Sequence, residues 1–175
     1  IFSLEKIWLV KNYILWYILA MRKFKVYLDT TIPSYVFNSH VPDKQMAAKK
    51  LFECIAHDRF EAYISAAVMR EILNTNDKDL RDKLVLLIKE LKVLEVSLEC
   101  VELAEEYIKK GIIPRENMDD AIHIACASIY EIDFLISYNF EHIVKIKTID
   151  NVQAVNLLSG YRSPRIIIPE EVIDV

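Results

Sequence analysis

The sequence predicts an α/β domain on a mainly parallel sheet of about five strands, and three observations point there. From Lys25 onward, short apolar runs alternate with longer stretches of helical periodicity, the pattern of strands joined by crossover helices. Asp29 directly follows the apolar run Val26-Tyr27-Leu28, and Asn139 falls just past Phe134-Leu135-Ile136. Open parallel sheets hold their ligands at the carboxyl ends of strands, where such polar residues would sit.

Taken in order, residues 1–20 stand apart in composition. Their uninterrupted apolar part, after Lys11, is too short for a bilayer span, which takes about 20 apolar residues. The segment lacks the basic start and Ala-x-Ala exit of a signal peptide. The preferred reading is an N-terminal extension forming a loosely attached apolar helix ahead of an ordinary start at Met21-Arg22-Lys23-Phe24-Lys25. An aromatic-rich helix lying on a membrane surface is the alternative.

Strands are expected near 25–28, 61–65, 93–97, 133–136 and 165–168. Between them, Ala48, Leu51, Phe52 and Ile55 fit one helix face, and Leu80, Leu84, Leu87, Ile88 and Leu91 form a helical stripe on another. Ser97 can cap a helix running to Lys110, with Gly111 past its end and Pro114 blocking continuation. A last helix, about 149–158, ends before Gly160. No repeat, low-complexity tract or linker divides the chain, so one domain over 24–168 is expected, with 169–175 as a C-terminal tail.

With 53% hydrophobic and 27% charged residues in 175, the chain has ample material for a core. Only two glycines are present, too few for glycine-rich phosphate loops of the P-loop or dinucleotide type. A net charge of -4 rules out coating nucleic acid by bulk attraction, so any such contact must be local. Cys54, Cys100 and Cys126 are widely spaced in apolar helical patterns, as buried thiols of a reducing compartment such as the cytoplasm would be.

The candidate chemistry lies in four places. Asp29 precedes Thr30-Thr31-Ile32-Pro33 and also suits a helix cap. Glu71 sits in the mostly apolar Ala66-Ala67-Val68-Met69-Arg70-Glu71-Ile72-Leu73; it either faces solvent or points inward while Arg70 pairs with another acid. Asp119 and Asp120 open the run Ala121-Ile122-His123-Ile124-Ala125-Cys126-Ala127, whose small residues would let the helix approach the sheet closely. The helix dipole alone favours acids there by about 0.3 to 1 kcal/mol each. Asn139 also suits an ordinary turn.

Two carboxylates about 4 Å apart repel by about 4 kcal/mol at an effective dielectric near 20, so an acidic cluster needs protonation or a cation. Hard oxygen donors select Mg²⁺ or Mn²⁺ over zinc. His123, three residues after Asp120, is either a ligand or base on the same face or a packed core histidine.

In these segments the chain resembles the PIN-domain nucleases, in particular toxin ribonucleases of VapC type, over essentially residues 24–168. The matching pieces are Val26-Tyr27-Leu28-Asp29-Thr30-Thr31, Met69-Arg70-Glu71-Ile72, Asp120-Ala121-Ile122-His123-Ile124-Ala125-Cys126-Ala127 and Leu135-Ile136-Ser137-Tyr138-Asn139-Phe140. The resemblance implies a three-layer α/β/α sandwich and a metal-dependent endoribonuclease. In it, Asp29, Glu71 and Asp120 would hold Mg²⁺ or Mn²⁺, Thr30 or Thr31 would orient Asp29, and Asp119 would be auxiliary. It also implies a homodimer and a small antitoxin partner that blocks the groove.

The family's fourth position is usually aspartate and here is Asn139, which brings an oxygen but no charge. Lys145, Lys147, Arg162 and Arg165 are the candidates for holding an RNA strand. A catalytically weak PIN-like module that binds RNA or protein is the competing expectation. A haloacid-type phosphatase is disfavoured, because its second Asp position holds Thr31.

Overall fold

A computed structural model describes residues 23–173; the extension helix expected over residues 1–20 lies outside the described residues. The strands are β1 (Phe24–Leu28), β2 (Phe60–Ser65), β3 (Lys92–Leu94), β4 (Phe134–Ile136) and β5 (Arg165–Ile167). The helices are α1 (Thr31–Val36), α2 (Pro42–Ala56), α3 (Ala66–Leu73), α4 (Lys78–Ile88), α5 (Leu98–Lys109), α6 (Met118–Ile129), α7 (Ile146–Ser159) and α8 (Pro169–Val172), with a 3-10 turn at Arg115–Asn117 before α6.

All pairings are parallel and the strand order is β3-β2-β1-β4-β5. The central strand β1 is covered on both faces, and Val26, Tyr27 and Leu28 are fully buried, which is why it reads as a continuous apolar run. Helix contacts fall into two groups, α1 to α4 with α8 and α5 to α7, giving the layers of the expected sandwich. They meet where α3 touches α6.

Local signals set several boundaries. The Ser97 hydroxyl accepts from Cys100 N and starts α5; Gly111, just past its end, adopts φ +66. Gly160 ends α7 in the left-handed region. The stripe on α4 buries Leu84 and Ile88 against the core, capped by Asp77.

Three boundaries differ from expectation. β3 stops at Leu94 rather than 97, because its register partner in β2 is Ser65, which leaves the sheet to cap α3 through Ala67 N. α7 begins at Ile146 rather than 149, with no side-chain cap to mark its start. Pro169 opens the short α8 in what the sequence offers as a tail, and Val172 and Ile173 are buried in the core. No described helix is long and apolar enough to cross a membrane.

Candidate active site

The strand order reverses at β1, between β2 on one side and β4 on the other, and such a reversal opens a crevice at the strands' carboxyl ends. Asp29 lies there. Its backbone N–H donates to Ile136 O at 3.3 Å, continuing the β1–β4 pairing. The side chain is 2% exposed. Oδ1 accepts from Thr31 N at 3.1 Å and Thr31 Oγ1 at 2.5 Å, and Oδ2 accepts from Ser137 Oγ at 2.6 Å.

Those hydroxyls also tie down the loop after β4: Tyr138 N donates to Thr31 Oγ1 at 2.9 Å, and Asn139 N to Ser137 Oγ at 2.9 Å. Burial pushes the Asp29 carboxyl up to about 6; the charge of His123 and the hydrogen bonds from Ser137 and Thr31 oppose the rise, and Asp120 adds to it.

His123 stands at the centre of the cluster, buried on α6. Its Nε2 lies 2.9 Å from Glu71 Oε1 and its Nδ1 2.8 Å from the Tyr27 hydroxyl. With the Tyr27 proton on Ser65 Oγ at 2.7 Å, Nδ1 donates to the Tyr27 oxygen and the ring, donating also to Glu71 at Nε2, is an imidazolium; with the Ser65 proton on Tyr27, Nδ1 accepts from Tyr27 and the ring is neutral. Burial alone would lower the pKa of His123, but the Glu71 hydrogen bond and the charges of Glu71, Asp29 and Asp120 bring it above the ordinary value. Glu71 shifts the other way. Its partial burial raises its pKa, but the hydrogen bond and charge of His123, with Thr30 and Arg70 beside it, leave the net value lowered.

Asp120 occupies the first turn of α6. Burial raises its pKa above the usual range, His123, Asn139 and His142 counteract, and Glu71 adds repulsion. Asp29, Glu71 and Asp120 therefore lie within electrostatic reach of one imidazole.

The other sequence candidates separate. Asp119 points away to an exposed ion pair with Arg70, 2.5 Å apart, leaving Glu71 to face inward. Asn139 Oδ1 accepts from Glu141 N at 3.2 Å and His142 N at 3.0 Å, so the amide oxygen caps its own turn and the amide nitrogen is left to donate to Asp120. Thr30 Oγ1 is buried beside Glu71 and is a side-chain oxygen without a hydrogen bond of ordinary geometry.

Lys145 and Lys147 line a cavity of about 290 Å³ with His142. Arg162 and Arg165 lie at the opposite, amino-terminal ends of the strands: Arg162 pairs with Asp133 at 3.0 Å, and Arg165 opens β5 and stacks on Phe134.

Among the described residues, no three His, Cys, Asp or Glu are grouped closely enough to hold an ion in this side-chain arrangement, with Glu71 turned onto His123. The donor chemistry nonetheless suits a hard cation, since the buried Asp29 and the partly buried Asp120 are held above their ordinary pKa by desolvation and by acidic neighbours. The sequence did not reveal Ser137, Tyr27 or Ser65 as parts of the site. A small hydroxyl directly after β4, level with the acid after β1, was the available signal for Ser137.

A PIN-domain family model matches residues 26–147. No curated protein matches the chain. Among solved structures, VapBC2 of Rickettsia felis, bound to a DNA fragment from its promoter, is similar with TM-score 0.52 and 18% identity over 83% of this chain and 98% of that one. The DNA-bound VapBC of Salmonella typhimurium gives 0.52 and 14% over 83% and 98%. VapC20 of Mycobacterium tuberculosis, a sarcin-ricin loop cleaving toxin, gives 0.50 and 15% over 67% and 92%. The family model spans well over half of the chain and takes in Asp29, Glu71, Asp120 and Asn139, and the chain belongs to the PIN-domain family.

Proposed function

We propose that this PIN domain is a Mg²⁺- or Mn²⁺-dependent endoribonuclease and the toxin of a toxin-antitoxin pair. The observation that carries the reading is the convergence of Asp29, Glu71 and Asp120 on His123 at the strand reversal. The solved structures of similar fold are toxin-antitoxin complexes and a toxin that cleaves the sarcin-ricin loop, which supports a small antitoxin partner and an RNA substrate. A homodimer acting in the cytoplasm fits the same reading.

Asp29, Glu71 and Asp120 would hold the ion, with Glu71 turning from His123 to join them. A bound ion of this kind polarises the scissile phosphate and lowers the pKa of the attacking water. The protein's own residues prepare the site. Thr31 and Ser137 fix both oxygens of Asp29, Asn139 holds Asp120, Thr30 flanks Glu71, and His123 balances acidic charge that burial would otherwise protonate.

A second reading is a catalytically weak module that binds RNA or protein. The occupied oxygen of Asn139 and the Glu71–His123 contact favour it, because both reduce the donors aimed at an ion. Incubating purified protein and its Asp29→Asn variant with RNA and Mn²⁺ separates the two. Cleavage by wild type and its loss in the variant support the nuclease; RNA bound and left intact supports the module.

A further inference from the structure

The loop after β4 is held from inside by hydroxyls and from outside by a cation. Lys44, in the first turn of α2, places its Nζ 5.2 Å from the Tyr35 ring centroid, 5.0 Å from that of Tyr138 and 4.8 Å from that of Phe140. All three distances fall within the roughly 6 Å over which a ring face attracts an ammonium. The position itself disfavours the charge, because the first turn is the positive end of a helix. A lysine ordinarily carries its charged tip out to water, whereas this one is half-buried with its tip drawn between three rings.

The rings come from two places in the chain. Tyr35 is on α1, just after Asp29, and Tyr138 and Phe140 flank Asn139. Tyr138 has further anchors: its ring packs on Tyr35 with centroids 4.8 Å apart, its hydroxyl donates to Glu170 at 2.8 Å, and its N–H is the one that donates to Thr31. Phe140 is held less firmly. It is 48% exposed, and its aromatic neighbour Tyr138 is 6.4 Å away, so Lys44 is its nearer partner. The start of α2 is tied to α1 in turn, since Gln45 Nε2 donates to Val36 O at 3.1 Å. Lys44 thus joins a fixed base, α1 with α2, to the outer end of a loop whose inner end serves two acids. Ser137 binds Asp29 and accepts from Asn139 N, and the Asn139 amide binds Asp120.

We propose that Lys44 is a positioning residue, whose ammonium clasps Tyr138 and Phe140 against α1 and so keeps Asn139 and Ser137 in place on Asp120 and Asp29. The proposal rests on the reading of these acids as a cation site and deepens it by naming what holds their supporting loop. Ligands fixed in advance spare an ion the cost of ordering them. The charge is what acts, so Lys44→Met, which keeps most of the stem, should fail, and Lys44→Arg, which can also stack its cation on rings, should serve.

The test combines amide hydrogen exchange, followed by NMR in the metal-free protein, with calorimetric titration of Mn²⁺. In Lys44→Met the Tyr138 and Asn139 amides should exchange about tenfold faster, with β1 and α5 unchanged, and Mn²⁺ should bind about tenfold more weakly. Lys44→Arg should stay within about twofold of wild type in both readouts. Phe140→Leu should reproduce the losses of Lys44→Met, and combining the two should add little.

Unchanged exchange at Tyr138 and Asn139 in Lys44→Met would overturn the proposal. So would exchange that rises equally throughout the fold, or Lys44→Arg behaving as Lys44→Met does. Faster loop exchange with wild-type Mn²⁺ affinity would also overturn it, since Lys44 would then be a structural contact alone. If wild type itself binds no Mn²⁺, the cation-site reading falls and exchange at the two amides decides the clasp.

Discussion

Glu71 Oε1 lies 2.9 Å from His123 Nε2, so the acid that the sequence offers as a metal ligand already has a hydrogen-bond partner inside the fold, an imidazole whose pKa the acids around it raise. The imidazole is held from its other side by Tyr27 and, through Tyr27, by Ser65. Protonated, His123 gives the cluster an internal counter-charge.

Removing that charge should be costly. His123→Ala leaves Asp29, Glu71 and Asp120 to repel one another and strips Tyr27 of a partner. Breaking a fully buried pair costs about 3 to 5 kcal/mol, and the partial exposure of Glu71 reduces this to about 2 to 3 kcal/mol. Mn²⁺ should recover part of the loss. Urea denaturation with and without Mn²⁺ checks this; a variant as stable as wild type, or one that gains no more from Mn²⁺ than wild type does, would contradict it.

Asp29 gives a pH dependence. Its folded pKa, about 6, exceeds the unfolded value of 3.8, so between them the folded state binds the proton more tightly. Its contribution to stability is fully present below about 3.8 and is lost as pH rises through about 6. That difference corresponds to about 3 kcal/mol as an upper figure, so Asp29→Asn should stabilise the metal-free protein by about 1 to 2 kcal/mol above that range while abolishing cleavage. Thermal melts across pH measure it, and a variant less stable than wild type at pH 8 would refute it.

Of the adjacent acids, Asp120 is the one proposed to act, since Asp119 is paired with Arg70. Asp119→Asn removes only the exposed pair with Arg70, worth less than about 1 kcal/mol, and should leave cleavage near wild type. Asp120→Asn should lower cleavage on the order of 100-fold or more. Rates of single-turnover RNA cleavage decide it; equal losses in the two variants would remove the distinction.

Ser137 is expected to position Asp29. Ser137→Ala deletes the bond to Oδ2 and leaves Asn139 N without its acceptor, a cost of about 1 to 3 kcal/mol. Because that bond lowers the pKa of Asp29, its loss should move the acid limb of the pH–rate profile upward. A lowered rate with an unmoved profile would argue for a structural role alone.

The sequence made the parts that depend on local pattern legible. The buried run of β1, the α4 stripe, the Ser97 cap and Gly160 follow from residues near one another in the chain, and the acid after β1 follows from the switch-point rule. The charge network was not legible, because its bonds join residues 38, 52 and 96 positions apart: Tyr27 with Ser65, His123 with Glu71, and Tyr27 with His123. Asn139 was visible as a polar residue, but the direction of its amide depends on which N–H groups its own turn presents. Arg162 and Arg165 carry the charge that an RNA contact needs, and only the strand register places them at the far end of the sheet.

The most direct measurement is a calorimetric titration of Mn²⁺ into the metal-free protein and into its Asp29→Asn, Glu71→Gln and Asp119→Asn variants. If Asp29 and Glu71 turn their oxygens to one ion, the first two variants lose at least tenfold in affinity and the third binds as wild type does. Unchanged binding in Glu71→Gln would mean that Glu71 stays on His123 and that no shared cation site forms.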